Sequence, residues 1–204
     1  MSSSPIDQTK LIEGLKKGDP VAFRHLIDLH QRPIFLLCLR LMGHETEAED
    51  MTQETFIRAS QAISSFRGDA ALGTWLYRIA TNLCKNRIGY LKRRKQSSHD
   101  HLPALEAKAG DQWQSTVEEV VTHDQPEESI EGKEAQNLII QALNSLPVKQ
   151  KMVLTLRDIK GLTYQEIAEM TQTSLGTVKS RIHQGRQQLV KTYYALLNGE
   201  SRED

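Results

Sequence analysis

The sequence predicts an all-α protein of two helical domains. Apolar residues recur at helical spacing over both ends of the chain, and no stretch shows the apolar–polar alternation of a half-buried strand. Two S/T-x-x-E capping boxes, Thr46 to Glu49 and Thr163 to Glu166, stand at the heads of apolar stripes. Of the 204 residues 38% are hydrophobic and only 5% aromatic, which suits small helical domains better than one large β core. The formal net charge is zero, but it is unevenly distributed. Residues 1–96 hold 15 basic and 10 acidic residues (+5), residues 97–133 hold 2 and 9 (−7), and residues 134–204 hold 9 and 7 (+2). The expected organisation follows these shifts: a helical domain over 1–96, a flexible acidic linker over 97–133, and a second helical domain over 134–204.

In the first domain, Asp19-Pro20 reads as an N-cap followed by proline at the first helical position. Phe23, Leu26, Ile27, Ile34, Leu37 and Leu41 then form a stripe that ends at Gly43, with Pro33 expected to kink or break the helix. The capping box at Thr46 opens a second helix, on which Ala48, Met51, Thr55, Phe56, Ala59 and Ile63 face inward. Residues 65–69 read as a loop. A third helix carries Leu76, Ile79, Ala80, Leu83, Ile88 and Leu91.

The acidic segment has few apolar residues, with Pro103, Gly110, Pro126 and Gly132 along it, and a short helical patch is expected near Trp113–Val121. Its 37 residues span about 120 Å fully extended and about 35 Å as a free coil. In the second domain, Ser145-Leu146-Pro147 starts a helix ending near Gly161, and the capping box at Thr163 opens a short one with Ile167, Ala168 and Met170. A tight turn over 171–174 leads into a longer helix with Val178, Ile182, Gly185 and Leu189 on one side; Ala168 is expected where the two helices cross.

Several classes drop out. No apolar run approaches the ~20 residues of a membrane span, and mean hydropathy is −0.50. Met1-Ser-Ser-Ser-Pro shows no basic region followed by an apolar stretch, so a cytoplasmic protein without membrane insertion is expected. Cys38 and Cys84 lie in apolar helical patterns without CxxC spacing and read as buried small hydrophobes. His99, Asp100, His101 and His123 form the one cluster of metal-ligand type, and it falls in the linker. We expect no metal, cofactor, catalytic residue or small-molecule substrate.

Short helix, four-residue polar turn and longer helix make a helix-turn-helix pattern. The outward face of its second helix carries Thr177, Lys179, Ser180, Arg181, His183 and Gln184, side chains that can donate to base edges or phosphates. Arg181 has the fork that matches guanine O6 and N7, while Lys179 and Arg186 suit phosphates. In the first domain, six of the eleven residues from Lys85 to Lys95 are basic, enough to track a phosphate backbone. Trp75, Tyr77 and Arg78 precede that run, and Phe66 and Arg67 precede them, supplying rings and cations for an unstacked base. Trp75 is equally at home in a core. Asn82 and Asn86 share one helix face. Glu49, Asp50, Gln53 and Glu54 form a polar strip on the second helix, either a solvated face or a docking face for a basic partner; spacing alone leaves both open.

The residues 48–56 (AEDMTQETF), 66–69 (FRGD) and 74–82 (TWLYRIATN) resemble region 2 of bacterial sigma factors; 162–168 (LTYQEIA) and 176–181 (GTVKSR) resemble region 4. Only residues 1–10 and the linker fall outside the likeness, and no room remains for regions 1.1 and 3, which implies the extracytoplasmic-function (ECF) class of the sigma-70 family, sigma-E-like. The resemblance implies a protein that joins bacterial core RNA polymerase through the β′ clamp helices and β flap and directs it to promoter DNA. Glu49, Asp50, Gln53, Glu54 and Phe56 fall where the family contacts core enzyme. Phe66, Arg67, Trp75, Arg78, Asn82, Lys85 and Asn86 fall where it recognises and melts the −10 element. Ser174 and the helix after it, through Thr177, Lys179, Ser180, Arg181, His183, Gln184 and Arg186, fall where it reads the −35 element. The linker would thread the polymerase RNA channel, and an anti-sigma factor would hold the protein inactive. Gly73 stands where the family carries a bulkier residue. The competing class is a DNA-binding regulator with a helical sensor domain that never joins polymerase.

Overall fold

The computed structural model describes residues 5–68, 70–97 and 130–199, and every regular element among them is helical. The helices fall into two compact units. Unit 1 holds α1 (Pro5–Lys16), α2 (Pro20–Met42), α3 (Glu45–Ala62), a 3-10 turn (Ile63–Ser65) and α4 (Leu72–Ser97); unit 2 holds α5 (Ile130–Asn144), α6 (Val148–Leu154), α7 (Tyr164–Thr171) and α8 (Leu175–Leu197). The helical patch expected near Trp113–Val121 and the His99, Asp100, His101 and His123 cluster lie outside the described residues. Ile130 already begins α5, four residues before the expected start of the second domain.

In unit 1 the sequence reading missed α1, which buries Leu15 to 1% exposure. A Cβ added at Gly14 would lie 2.9 Å from the Ala22 Cβ, so α1 and α2 meet through small residues. Asp19 caps α2 as expected, its Oδ1 accepting from the Val21 amide at 2.9 Å. The helix continues through Pro33, where a kink or a break is expected from the sequence; no break occurs. The carbonyl deprived of its donor is that of Leu29, on a solvent-exposed part of the helix, and burial of Ile34, Leu37, Cys38 and Leu41 just beyond holds the helix together. α3 starts at Glu45, which puts Thr46 inside the first turn rather than at its cap. The core lies between α2 and α4, where Leu26, Ile34, Leu37, Leu72, Leu76 and Ala80 are at most 1% exposed. Cys38 and Cys84 form no disulfide and are wholly buried there; a hydrogen bond between the thiols, then burial, pushes the Cys84 thiol far up.

In unit 2, α6 follows Pro147 and widens into a π-type turn over Thr155–Ile159, the Lys160 amide reaching back to the Thr155 carbonyl at 3.2 Å. Gly161, at φ +69°, reverses the chain in a conformation that a Cβ would strain. Ala168 is only half-buried. A separate close crossing, of α8 over α6, is at Gly185, where a Cβ would lie 2.9 Å from Leu154 Cδ1 and 3.3 Å from Gln150 Cβ.

Lys151 on α6 is 6% exposed, and its Nζ donates to Asn144 Oδ1 at 3.3 Å. Burial lowers its pKa from 10.5 to about 8. Below that value the ammonium is charged in folded and unfolded chains alike, so its desolvation weighs fully on the fold. Between about 8 and 10.5 the unfolded chain holds the proton more tightly, so this group's contribution to stability rises with pH. Lys151→Met is therefore expected to stabilise the protein at pH 7 by about 1–3 kcal/mol. Denaturant unfolding of the full chain checks this: the gap between variant and wild type narrows at pH 9.5, and a pH-independent gap contradicts the assignment.

Candidate functional site

Unit 1 presents two polar stripes. On α3 the inward side consists of Ala48, Thr52, Thr55, Phe56 and Ala59, all buried. That orientation turns Glu49, Asp50 and Gln53 outward as one exposed strip, with Glu54 half-exposed at its edge. Glu54 Oε1 also accepts from Arg58 Nε at 2.6 Å, one turn on. Phe56, expected among the contact residues, is only 8% exposed: it seats the helix rather than facing a partner. Ile57, which the sequence reading passed over, is 50% exposed and continues the strip at three and four residues from Glu54 and Gln53. The signal was there to read, a large apolar residue on the polar side of an amphipathic helix.

α4 divides in the same way. Leu72, Leu76, Ala80 and Cys84 step by four along the buried side. Trp75, Arg78, Asn82, Lys85 and Asn86 advance by three, four, three and one along another side, with Arg78, Lys85 and Asn86 exposed and Trp75 and Asn82 half-exposed. Phe66 is buried to 5%, and its ring lies 5.2 Å from that of Trp75 at an interplanar angle of 51°. The two aromatics thus form one tilted pair, Trp75 presenting the outer ring and Phe66 the support. Arg67 beside them is exposed, and Gly68 takes φ +83° to turn the loop. At Gly73 a Cβ would lie 3.3 Å from Cε1 of His30, so the imidazole takes the space that a bulkier residue would need. Burial lowers the His30 pKa below its ordinary value.

Unit 2 supplies the helix-turn-helix. Thr163 Oγ1 accepts from the Glu166 amide at 3.2 Å while Glu166 Oε2 accepts from the Thr163 amide at 2.7 Å, closing the expected capping box. α7 ends at Thr171, Gln172 takes a left-handed φ of +53°, and the Thr173 amide returns to the Ala168 carbonyl at 3.0 Å. Ser174 then caps α8, its Oγ accepting from the Thr177 amide at 3.2 Å and lying 2.8 Å from Thr177 Oγ1. Two of the expected DNA contacts are thereby employed in starting the helix. Ser180 Oγ donates to the Thr177 carbonyl at 3.0 Å. Val178 and Ile182 are buried, which leaves Lys179, His183 and Gln184 exposed and Arg181 half-exposed on the outer face. Arg186 is not simply available as a phosphate anchor. Its Nη2 and Nε reach Asp158 Oδ1 and Oδ2 at 2.5 and 3.3 Å, tying α8 to the widened turn 28 residues upstream. Arg157 next to it donates to the Leu162 carbonyl at 2.8 Å and stacks 4.9 Å above the Tyr164 ring.

Residues 26–96 match the family model described as Sigma-70 region 2, and residues 136–189 the one described as Sigma-70, region 4. The ECF RNA polymerase sigma factor SigW of Bacillus subtilis is 40% identical over 183 residues, 89% of this chain and 94% of its own. The chain belongs to the sigma-70 family. It is an ECF sigma factor, a non-enzymatic transcription initiation factor. The ECF RNA polymerase sigma-E factor of Escherichia coli K12 is 37% identical over 187 residues, 92% of this chain and 94% of its own. The fold is shared with the sigma factor RpoE of Bartonella quintana, solved in complex with the anti-sigma factor NepR, at a TM-score of 0.62 and 21% identity over 83% of this chain and 95% of that one. Among the described residues of this sigma factor no helix is long and apolar enough to cross a membrane, and no group of three or more His, Cys, Asp or Glu is placed to hold a metal ion.

Proposed function

We propose that this sigma factor, in the cytoplasm, joins core RNA polymerase through the α3 strip and opens the −10 element with α4, while the α8 face reads the −35 element. The observation that carries this reading is the segregation on α4, where the buried stripe leaves Trp75, Arg78, Asn82, Lys85 and Asn86 together on another side. A ring, two cations and two amides in one row are what a melted strand needs: a surface to stack on, charge for phosphates and donors for base edges. The strip of Glu49, Asp50, Gln53 and Glu54 has the sign and width to meet the basic surface of the β′ clamp helices, and Ile57 adds an apolar contact at its end. On α8, Lys179, His183 and Gln184 join Arg181 in the major groove, with Ser174 and Thr177 fixing the angle at which the helix enters it. The β flap is the proposed dock for unit 2, and the acidic segment occupies the RNA channel, where negative charge mimics a transcript. An anti-sigma factor that covers these surfaces would keep the protein silent.

Reconstitution with core enzyme tests the reading. Asp50→Lys with Glu54→Lys is expected to abolish core binding and run-off transcription while helicity by circular dichroism stays at the wild-type level; a double variant that still transcribes reduces the strip to solvated surface. Arg181→Ala is expected to lose about 1–3 kcal/mol of discrimination at one −35 base pair. Promoter selection from a random library reads this out, and an unchanged −35 preference contradicts the role.

A further inference from the structure

Arg87 lies on the same side of α4 as Leu72, Leu76, Ala80 and Cys84, at the point where that buried stripe ends. Its Nε and Nη2 donate to Glu47 Oε2 and Oε1 of α3 at 2.7 and 2.8 Å, a two-pronged bond between residues forty positions apart. The guanidinium also rests 5.7 Å from the centre of the Tyr90 ring, and Asp50 adds to the attraction it feels. The pair is partly exposed, with side chains 35% and 22% accessible, and pairs of that kind add little to the stability of a fold. A planar fork gripping a carboxylate does fix direction.

Direction is what the stretch of α3 before Phe56 otherwise lacks. Its inward residues are Ala48, Thr52 and Thr55, and both hydroxyls fold back onto their own helix, Thr52 Oγ1 to the Ala48 carbonyl at 2.7 Å and Thr55 Oγ1 to the Met51 carbonyl at 2.6 Å. Small side chains bonded within one helix give little shape to resist rotation or sliding against a neighbour. The large anchors, Phe56 and Ile63, come later in the chain. The acidic strip, Glu49 to Glu54, precedes them.

We propose that Glu47–Arg87 is a positioning strut that holds the α3 docking strip at a fixed angle to the promoter-opening side of α4. The proposal rests on the functional reading above. Polymerase bound at Asp50, Gln53 and Glu54 then carries Asn82, Lys85 and Asn86 with it as one rigid piece, and the energy of docking is not dissipated in a hinge. Without the strut, the protein still docks, but α4 arrives at the −10 element over a spread of orientations.

The test uses the full chain with core enzyme and a promoter recovered by run-off selection with the wild-type protein. Glu47→Gln, Arg87→Gln and Arg87→Lys are each expected to bind core within about twofold of wild type and to open the duplex promoter about tenfold more slowly, by permanganate reactivity of −10 thymines. Arg87→Lys keeps the charge and loses the fork, so it separates geometry from attraction. On a template already open over the −10 region, all three are expected to transcribe as wild type does, which a misfolded variant would not. Glu47→Arg combined with Arg87→Glu is expected to recover most of the opening rate. Singles that open the duplex at the wild-type rate, or an exchange no faster than either single, overturn the strut. A wild-type chain that fails to join core enzyme overturns the functional reading itself, and the strut with it.

Discussion

Cys38 on α2 and Cys84 on α4 are wholly buried with their thiols hydrogen-bonded to each other, and small side chains meet in this way only where two helices lie close together. That seam, extended by Leu26, Ile34 and Leu37 on one side and Leu72, Leu76 and Ala80 on the other, fixes the rotation of α4 about its own axis. Once the apolar stripe is committed inward, Trp75, Arg78, Asn82, Lys85 and Asn86 have no choice but the side they occupy. The same constraint governs α3, where burial of Ala48, Thr52, Thr55 and Phe56 turns the acidic strip outward, and α8, where Val178, Ile182 and Gly185 do so for the polar outer face. Each proposed functional surface is the complement of a packing requirement.

What could be read in the sequence follows the range of the interaction. The Thr163–Glu166 capping box, the Asp19 cap and the amphipathic stripes depend on neighbours within about one turn, and the structure contains them. Thr46 carries the same capping pattern, yet α3 begins a residue before it, because burial of Ala48 and the residues after it decides where the helix starts. At Pro33 the helix does not break, for a related reason: the local penalty is outweighed by side chains buried against a helix some forty residues further on. The ion pairs Glu47–Arg87 and Asp158–Arg186 join positions that no local spacing brings together. They alter the site more than any element boundary does, since Arg186 looked like a phosphate anchor and is engaged by Asp158.

The two family regions differ in how they hold their active faces. In the helix-turn-helix, precision comes from short-range bonds: the capping box, the left-handed Gln172 and the Ser174 cap set α8 against α7 within a dozen residues. In unit 1 the proposed docking and promoter-facing stripes lie on separate helices and are linked across forty residues by Glu47 and Arg87. In our account one face reads a rigid duplex groove and the other must hold a strand that is being pulled open. The second task places a greater demand on the angle between elements.

The neutral charge of the chain takes its meaning from this division: +5 over residues 1–96, −7 over 97–133 and +2 over 134–204. Two promoter elements some 25 base pairs apart lie about 85 Å from each other along the duplex, against about 30 Å for a free coil of the 32 residues between Ser97 of α4 and Ile130 of α5. Holding both units in that register requires a scaffold, and core polymerase is the one the account supplies. The most direct test is the affinity of a selected two-element promoter for this chain with and without core enzyme. Tight binding by the holoenzyme and weak binding by the isolated chain are predicted; equal affinity in the two would contradict the account.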